Sequence, residues 1–297
     1  VQVVHGHAHA DWPAAAVAIG NFDGVHLGHR ALIARARELG PRAVALTFDP
    51  HPGAVLAPAG APPALTSLAR RVELLGEVGA DAVVIEPFTR ALAAMSADDF
   101  VEAVLLAGAR ASAIVVGYDF RYGAGRAGSV DTLRARAAAR GVAVAVVPPV
   151  SVAGDVASST RIRALLVSGE VDAANRLLGR RYDVDGVVVH GAERGRAIGV
   201  PTANVAPAGA PVLARPGIYA VTLDGRPAVA SLGTNPTFVD STELVLEVHV
   251  LDFTGDLYDR TVRVAFVARL RDEAKFGSVA ALVEQIGRDI EAARRLF

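Results

Sequence analysis

Residues 16–39, AVAIGNFDGVHLGHRALIARAREL, decide how the first half of the chain is read. Ala16–Gly20 is apolar without alternation, which suits a strand covered on both faces. After a turn rich in glycine and aspartate, Leu27–Leu39 carries apolar residues at helical spacing. A strand, a tight turn and a helix start in that order set unpaired N–H groups and the positive end of a helix dipole at the strand's carboxyl end. Such a place binds anions. His26 and His29 lie three residues apart on one face of the first turn. Their imidazoles add donors for phosphate oxygens, and Gly28 lets a ligand approach the backbone. Gly20, Asn21, Phe22, Asp23 and Gly24 complete the candidate phosphate-binding loop. A glycine-rich turn with two solvated histidines would give the same local pattern, so other segments must decide.

The same rhythm continues along the chain. Ala43–Phe48, Ala82–Ile85, Ala113–Gly117 and Val142–Val147 read as further buried strands. Leu68–Val78, Ser96–Ala107 and Val130–Arg140 read as amphipathic helices, the second opened by a Ser96/Asp99 capping box. Apolar strands separated by helices predict a doubly wound α/β domain with a parallel sheet, whose ligands bind at the strands' carboxyl ends. After Gly179 the pattern changes. Val184–Val189, Ile218–Leu223, Ala228–Leu232, Leu244–Val250 and Thr261–Arg269 read as strands separated by turns, and Ser278–Phe297 as a terminal helix. This predicts a small antiparallel β-barrel with a closing helix. Two domains, 1–179 and 180–297, fit a chain of 297 residues.

Composition removes several classes of function. Thirty basic against 31 acidic residues give a net charge of −1, without the basic stripe of a nucleic-acid binder. No apolar run is long enough to span a bilayer, and Val1–Ala10 does not read as a secretory signal. The chain has no cysteine, which excludes thiolate metal sites and disulfides and fits a reducing cytoplasm. Its one lysine, Lys275, follows alanine, so there is no G-x-x-x-x-G-K-[ST] phosphate loop. Gly123-x-Gly125-x-x-Gly128 has dinucleotide spacing, but no acidic residue lies roughly 20 positions on to hold a ribose. His5, His7 and His9 alternate in a segment read as disordered or strand-like rather than as a metal site.

Ser158-Ser159-Thr160-Arg161-Ile162-Arg163 follows a strand and opens a helix. Hydroxyls, backbone N–H groups and the guanidinium forks of Arg161 and Arg163 suit β- and γ-phosphates; a plain helix cap is the alternative. With GNFDGVHLGH upstream, this segment resembles the second signature of the H-x-G-H nucleotidyltransferases. Such a site needs no protein nucleophile, because alignment and charge stabilisation suffice.

In the second half, Gly191, Arg194, Gly195, Arg196 and Gly199 form a glycine-rich charged stretch leading into Pro201-Thr202-Ala203-Asn204. It suits a flap over ATP, with Thr202 and Asn204 offering hard oxygens to Mg²⁺; a surface hairpin is the alternative. Glu247 lies in a strand between apolar neighbours, and the alternation places it with Val245 and His249 on one face without saying which face is inside. A barrel-facing glutamate would move into general-base range; an outward one would be an ordinary solvated side chain.

Nine runs in order, GNFDGVHLGH, TFDPHP, PFTRALAAMSADDFV, VGYDFRYG, SSTRIR, GRAIGVPTAN, SLGTNPTF, EVHVLDF and LRDEAKF, span nearly the whole chain. They resemble the bacterial bifunctional riboflavin kinase/FMN adenylyltransferases, also called FAD synthetases. The resemblance implies a first domain that transfers AMP from ATP to FMN and a barrel that phosphorylates riboflavin, both with Mg²⁺. It implies ATP held by Gly20–Gly24, His26, His29, Ser158, Ser159, Thr160, Arg161 and Arg163, with His26 and His29 holding the phosphates. Flavin would lie near Asp49, Pro50 and His51 of TFDPHP and Asp119, Phe120 and Arg121 of VGYDFRYG. In the kinase, Thr202 and Asn204 would hold Mg²⁺ and phosphates, Glu247 would be the base, and Arg271, Glu273 and Phe276 would border the flavin. Tyr118 departs from the family's frequent acidic residue, and Ile198 and Val200 replace leucine and phenylalanine. The expected partners are riboflavin, FMN and ATP, with no nucleic acid or membrane, and a homo-oligomer is compatible with the sequence. The rival reading is a monofunctional nucleotidyltransferase with a non-catalytic barrel that binds a ligand or RNA. An aminoacyl-tRNA synthetase is disfavoured by the want of a lysine-rich loop.

Overall fold

A computed structural model describes residues 1–191, 199–234 and 244–297. They form two compact units, Val1–Pro63 with Leu68–Ser159, and Ala64–Ser67 with Thr160–Phe297.

The first unit is built on six strands: β1 (Gln2–His5), β2 (Ala15–Ile19), β3 (Ala43–Asp49), β4 (Ala82–Pro87), β5 (Ala111–Gly117) and β6 (Ala143–Val147). All pairs are parallel, in the order β1-β4-β3-β2-β5-β6. Between them lie α1 (Leu27–Leu39), α2 (Pro52–Leu56), α3 (Leu68–Glu77), α4 (Arg90–Ala94), α5 (Ala97–Asp99) and α6 (Val130–Ala138). Ser96 caps α5, accepting from the Asp99 N–H at 3.0 Å as its capping box predicts, and α5 runs on as a π-helix, Phe100–Gly108. A hairpin of β7 (Ser151–Val152) and β8 (Asp155–Val156) follows β6.

Both faces of the sheet are covered, which explains why its strands are apolar throughout. Val17 and Ile19 of β2 pack with Phe100, Val104 and Leu133 on one face. On the other, Ala16 and Ala18, with Ala45 and Ala113, form an alanine floor beneath Leu32, Ile33 and Ala36 of α1. The chain lays β3 and β4 on one side of β2, then crosses to place β5 and β6 on the other. The connections therefore diverge at the carboxyl ends of β2 and β5 and open a crevice there. The N-terminal histidine segment resolves into β1, which edges the sheet beside β4, and local contacts. His7 Nδ1 lies 2.9 Å from Glu86 Oε2, and His9 Nδ1 lies 2.7 Å from the His5 carbonyl. Among the described residues no cluster of histidine and carboxylate suits a metal ion.

The second unit carries α7 (Ser159–Ser168), α8 (Val171–Leu178) and a closed antiparallel barrel. Its strands are β9 (Tyr182–Val189), β10 (Ala203–Pro207), β11 (Gly217–Leu223), β12 (Arg226–Thr234), β13 (Leu244–Val250) and β14 (Thr261–Arg271), in the order β10-β13-β12-β11-β14-β9. The helix α9 (Val279–Arg294) follows. Asn175 of α8 locks onto the barrel, donating to the Phe266 carbonyl at 3.0 Å and accepting from Tyr182 N–H at 2.7 Å. Phe266 is fully buried, edge-on to Tyr219 with ring centroids 5.3 Å apart, and near Tyr182 at 6.0 Å. The two tyrosine hydroxyls donate to the carbonyls of Arg215 and Val212. The sequence shows five barrel strands; the sixth, β10, hides in P-T-A-N because only Ala203 and Val205 carry the inward pattern before Pro207 interrupts it. It closes the barrel by pairing with both β9 and β13.

Truncating Phe266 to alanine opens a cavity among these rings. The substitution is expected to cost the second unit about 3–5 kcal/mol, read as a lower urea midpoint by far-UV circular dichroism.

Candidate active sites

His26 is the residue before the first turn of α1, with extended backbone (φ −73°, ψ 174°), and His29 lies within that turn. Their rings stack at 3.6 Å with 25° between planes. No side chain caps the helix, so its first N–H groups stay available to a ligand. Gly28 is approached by the His26 ring and the Ala157 carbonyl, where a Cβ would sit 3.1–3.4 Å from both. The loop before it is tight: Phe22, Gly24 and Val25 all have positive φ, and Phe22 and Asp23 are buried. Ser159 Oγ donates to the Asp23 carbonyl at 2.8 Å, so the second signature is tied to the first where the first unit ends. Thr160, Arg161 and Arg163 belong to the second unit, in the opening turns of α7; Thr160 and Arg161 are exposed and Arg163 is half-buried.

Beside this turn is a cavity of about 580 Å³, walled by Gly20, Asn21, Phe48, Phe88, Phe120 and Tyr122 among others. It occupies the crevice between the ends of β2 and β5. Phe120 and Tyr122 stack at 5.5 Å, and Phe48 meets Phe88 edge-on at 5.7 Å. Flat aromatic walls of this kind suit a fused-ring ligand. Asp119 and Arg121 also line the cavity, whereas TFDPHP contributes Phe48 and Pro52. Asp49 and Pro50, joined by a cis peptide, lie between these wall residues, and His51 caps α2 while its Nε2 lies 3.3 Å from Asn21 Nδ2.

The second unit holds a cleft of about 580 Å³ between the barrel wall and α9. Thr202, Glu247, Arg271, Glu273 and Phe276 all line it. The alternation on β13 is settled here, and neither expected environment of Glu247 holds: Leu246, Val248 and Val250 are buried in the barrel, so Glu247 and His249 point outward, yet Glu247 is half-buried because a cleft rather than open solvent lies on that side. In register, Glu247 stands opposite Asn204 on β10 and Ser231 on β12, one row across three strands. Gly191 makes room for Asn204, since a Cβ there would collide with the amide. Thr202 also lines a second cavity, about 550 Å³, with Pro201, Phe253 and Tyr258. The two cavities thus share a wall at Thr202. Gly199 has positive φ (77°), and the expected flap residues Arg194, Gly195 and Arg196 lie outside the described residues.

Two family models divide the chain: one described as FAD synthetase matches residues 8–161, and one described as riboflavin kinase matches residues 178–297. A bifunctional riboflavin kinase/FMN adenylyltransferase from Pseudomonas fluorescens is 40% identical over 286 residues, covering 94% of this chain and 91% of that protein. The chain belongs to this family. The Escherichia coli K12 protein of the same name is 37% identical, covering 100% of this chain and 97% of its own. In three dimensions, a crystal structure described as a macrolide-efflux protein from Streptococcus pneumoniae matches with a TM-score of 0.89 and 32% identity, covering 99% of both chains. Among the described residues no helix is long and apolar enough to cross a membrane.

Several residues of these family clefts escape sequence reasoning. Asp289 on α9 is buried and grips Arg271 in two directions, Nε–Oδ1 2.9 Å and Nη2–Oδ2 2.7 Å, while Gln285 donates to the same carboxylate at 2.9 Å. The guanidinium carbon then lies 5.8 Å from the Phe276 ring centre. His249 Nδ1 donates to the Pro201 carbonyl at 2.7 Å, pinning the segment that carries Thr202. His190 stacks on Tyr258 at 3.9 Å. The only signal in the sequence is the i, i+4 spacing of Gln285 and Asp289; the other contacts are long-range.

Burial pushes His26 down to about 4 from 6.5, partly opposed by the charge of Asp23. Burial also holds His29 well below the usual range, helped by His26 and Arg71. Both rings are therefore neutral near pH 7, and the Nδ1 atoms of both are buried without a partner. The unfolded chain takes up the His26 proton first, so the stability linked to its neutral form is complete above about pH 6.5 and falls as pH drops toward 4. The urea midpoint of the first unit is expected to fall between pH 7.5 and 5, and to fall less in His26→Gln.

Proposed function

We propose that this chain makes FAD from riboflavin in two ATP-dependent steps, the kinase in residues 180–297 and the adenylyltransferase in residues 1–179. In the kinase step, Glu247 takes the proton of the ribityl terminal hydroxyl. The oxygen forms its bond to the γ-phosphorus of ATP as the bond to ADP breaks, giving FMN. Arg271, Glu273 and Phe276 border the isoalloxazine, and Asp289 keeps Arg271 in place. ATP lies across the shared wall at Thr202, its triphosphate directed at the flavin cleft. Its binding set includes Gly191, Gly199 and Pro201, with Arg194, Gly195 and Arg196 as the expected flap.

Mg²⁺ would be held by Thr202 and Asn204. A hydroxyl and an amide oxygen are hard, neutral donors that suit a cation keeping phosphate and water ligands. When bound it neutralises charge on the ATP phosphates. Glu247 beside Asn204 is then close to the metal end of the nucleotide without needing to bind it.

In the adenylyl step, a phosphate oxygen of FMN attacks the α-phosphorus of ATP and pyrophosphate leaves. No protein group forms a covalent bond. The uncapped turn of α1 and the neutral His26 and His29 donate to the phosphate oxygens as charge moves onto pyrophosphate. Ser158 and Ser159, the part of the second signature that lies in this unit, are assigned to the same phosphates, and the aromatic cavity with Asp119 and Arg121 to the flavin. The partners are riboflavin, FMN and ATP, and the cysteine-free composition suits the cytoplasm.

What supports this reading is that each family model falls on a stretch with its own cleft, lined by Gly20, Asn21, Asp119 and Phe120 in the first and by Thr202, Glu247, Arg271 and Phe276 in the second. Full-length protein given riboflavin, ATP and Mg²⁺ should form FMN and then FAD, followed separately by chromatography. Glu247→Gln is expected to slow FMN formation by about 10²–10⁴-fold while leaving FAD formation from supplied FMN intact. His29→Ala should do the reverse. Loss of both reactions in either variant, FMN formation from riboflavin and FAD formation from supplied FMN, argues against two independent sites.

A further inference from the structure

We propose that Arg71 is a positioning residue for adenylyl transfer: its buried guanidinium ties the end of β3 to the Asn21 turn and sets the positive field beneath the histidine pair. The inference rests on the first unit being an adenylyltransferase.

Arg71 projects from α3 and is 4% exposed. Burying a charge costs several kcal/mol unless it is paired or well hydrogen-bonded. Here the pairing is poor. One terminal nitrogen, Nη1, reaches Thr47 Oγ1 at 3.4 Å and the Phe48 carbonyl at 3.3 Å, both long contacts, and Nε is buried without an acceptor. Among the described residues it forms no ion pair; Asp23 and Asp49 act on it only as nearby charges. A structural arginine in this place would be expected to meet a carboxylate face to face.

What Arg71 does touch leads to the cleft. Thr47 Oγ1 donates onward to the Asn21 carbonyl at 3.0 Å, so a relay runs from α3 through β3 into the loop before His26. Phe48, whose carbonyl takes the other contact, is a wall of the aromatic cavity. One guanidinium therefore fixes the loop on the nucleotide side and the wall on the flavin side. Its charge also reaches the histidines. The titratable groups acting on His29 are His26 and Arg71, with the Phe22 ring 5.2 Å away, while Asp23 acts on His26. Both histidines are neutral, so they bring hydrogen bonds but no net charge to a triphosphate. Arg71 supplies a fixed positive charge that does not titrate near neutrality.

The test uses the full chain and three variants, Arg71→Met, Arg71→Lys and Thr47→Val. FAD formation from FMN and MgATP is measured beside FMN formation from riboflavin. If the wild-type protein makes no FAD, the adenylyltransferase reading fails before Arg71 is at issue. Given wild-type turnover, Arg71→Met should lower kcat for FAD by ~10²-fold, with KM for FMN little changed and the kinase step untouched. The acid limb of its kcat/KM profile should move to higher pH, because His29 loses a neighbouring cation. Arg71→Lys should recover most of kcat, to within about tenfold of wild type, with the acid limb restored. FAD formation in Arg71→Met within about threefold of wild type overturns the proposal. So does an Arg71→Lys enzyme as slow as Arg71→Met with neither acid limb moved, which marks a packing role. Should Arg71→Met not fold, Thr47→Val decides: a kcat loss of about tenfold supports the relay, and wild-type kcat overturns it.

Discussion

Backbone hydrogen bonding constrains both units and places their chemistry. A parallel sheet buried on both faces spends its donors and acceptors internally, so what it offers a ligand lies at strand ends and at the helix starts above them. The start of α1 is left without a side-chain cap, and its floor of alanines holds it close to the sheet. In the barrel the same demand is met by closure. A five-stranded version would leave the edges of β9 and β13 unpaired; β10 fills that gap and in doing so carries Asn204 into line with Glu247.

Electrostatics then divides labour within each cleft. In the first unit burial removes the charge from two imidazoles that solvent would leave partly protonated near pH 6.5, converting them into neutral donors and acceptors. The permanent charge sits a layer deeper, on Arg71. In the second unit the charged groups line the cleft itself, and Arg271 is held by a buried carboxylate on a helix far along the chain. That ion pair links the barrel to α9, and with it the two walls of the cleft, while Arg294 near the end of α9 makes a second link to Asp252. Family membership fits both arrangements, because the residues that line each cleft fall within the stretch matched by one family model.

Much of this was legible from residue order. The run from Ala16 to Leu39 determined a strand, a tight turn and a helix, and α1 begins and ends where the apolar spacing does. Continuous apolar strands required a doubly covered sheet, and the turn-punctuated second half required antiparallel β-structure, because periods of 3.6 and 2 are properties of the local chain. The two signature sets were equally local. Packing alone decided which face of β13 carries Glu247, that the closing strand β10 starts inside P-T-A-N at Ala203, that the histidine rings stack, and that Arg71 and Asp289 stand behind the clefts. Except for the histidine stack, which is fixed by burial of the turn, each depends on partners far along the chain. Alternation shows that two faces differ, but only packing against the rest of the barrel makes one of them the inside.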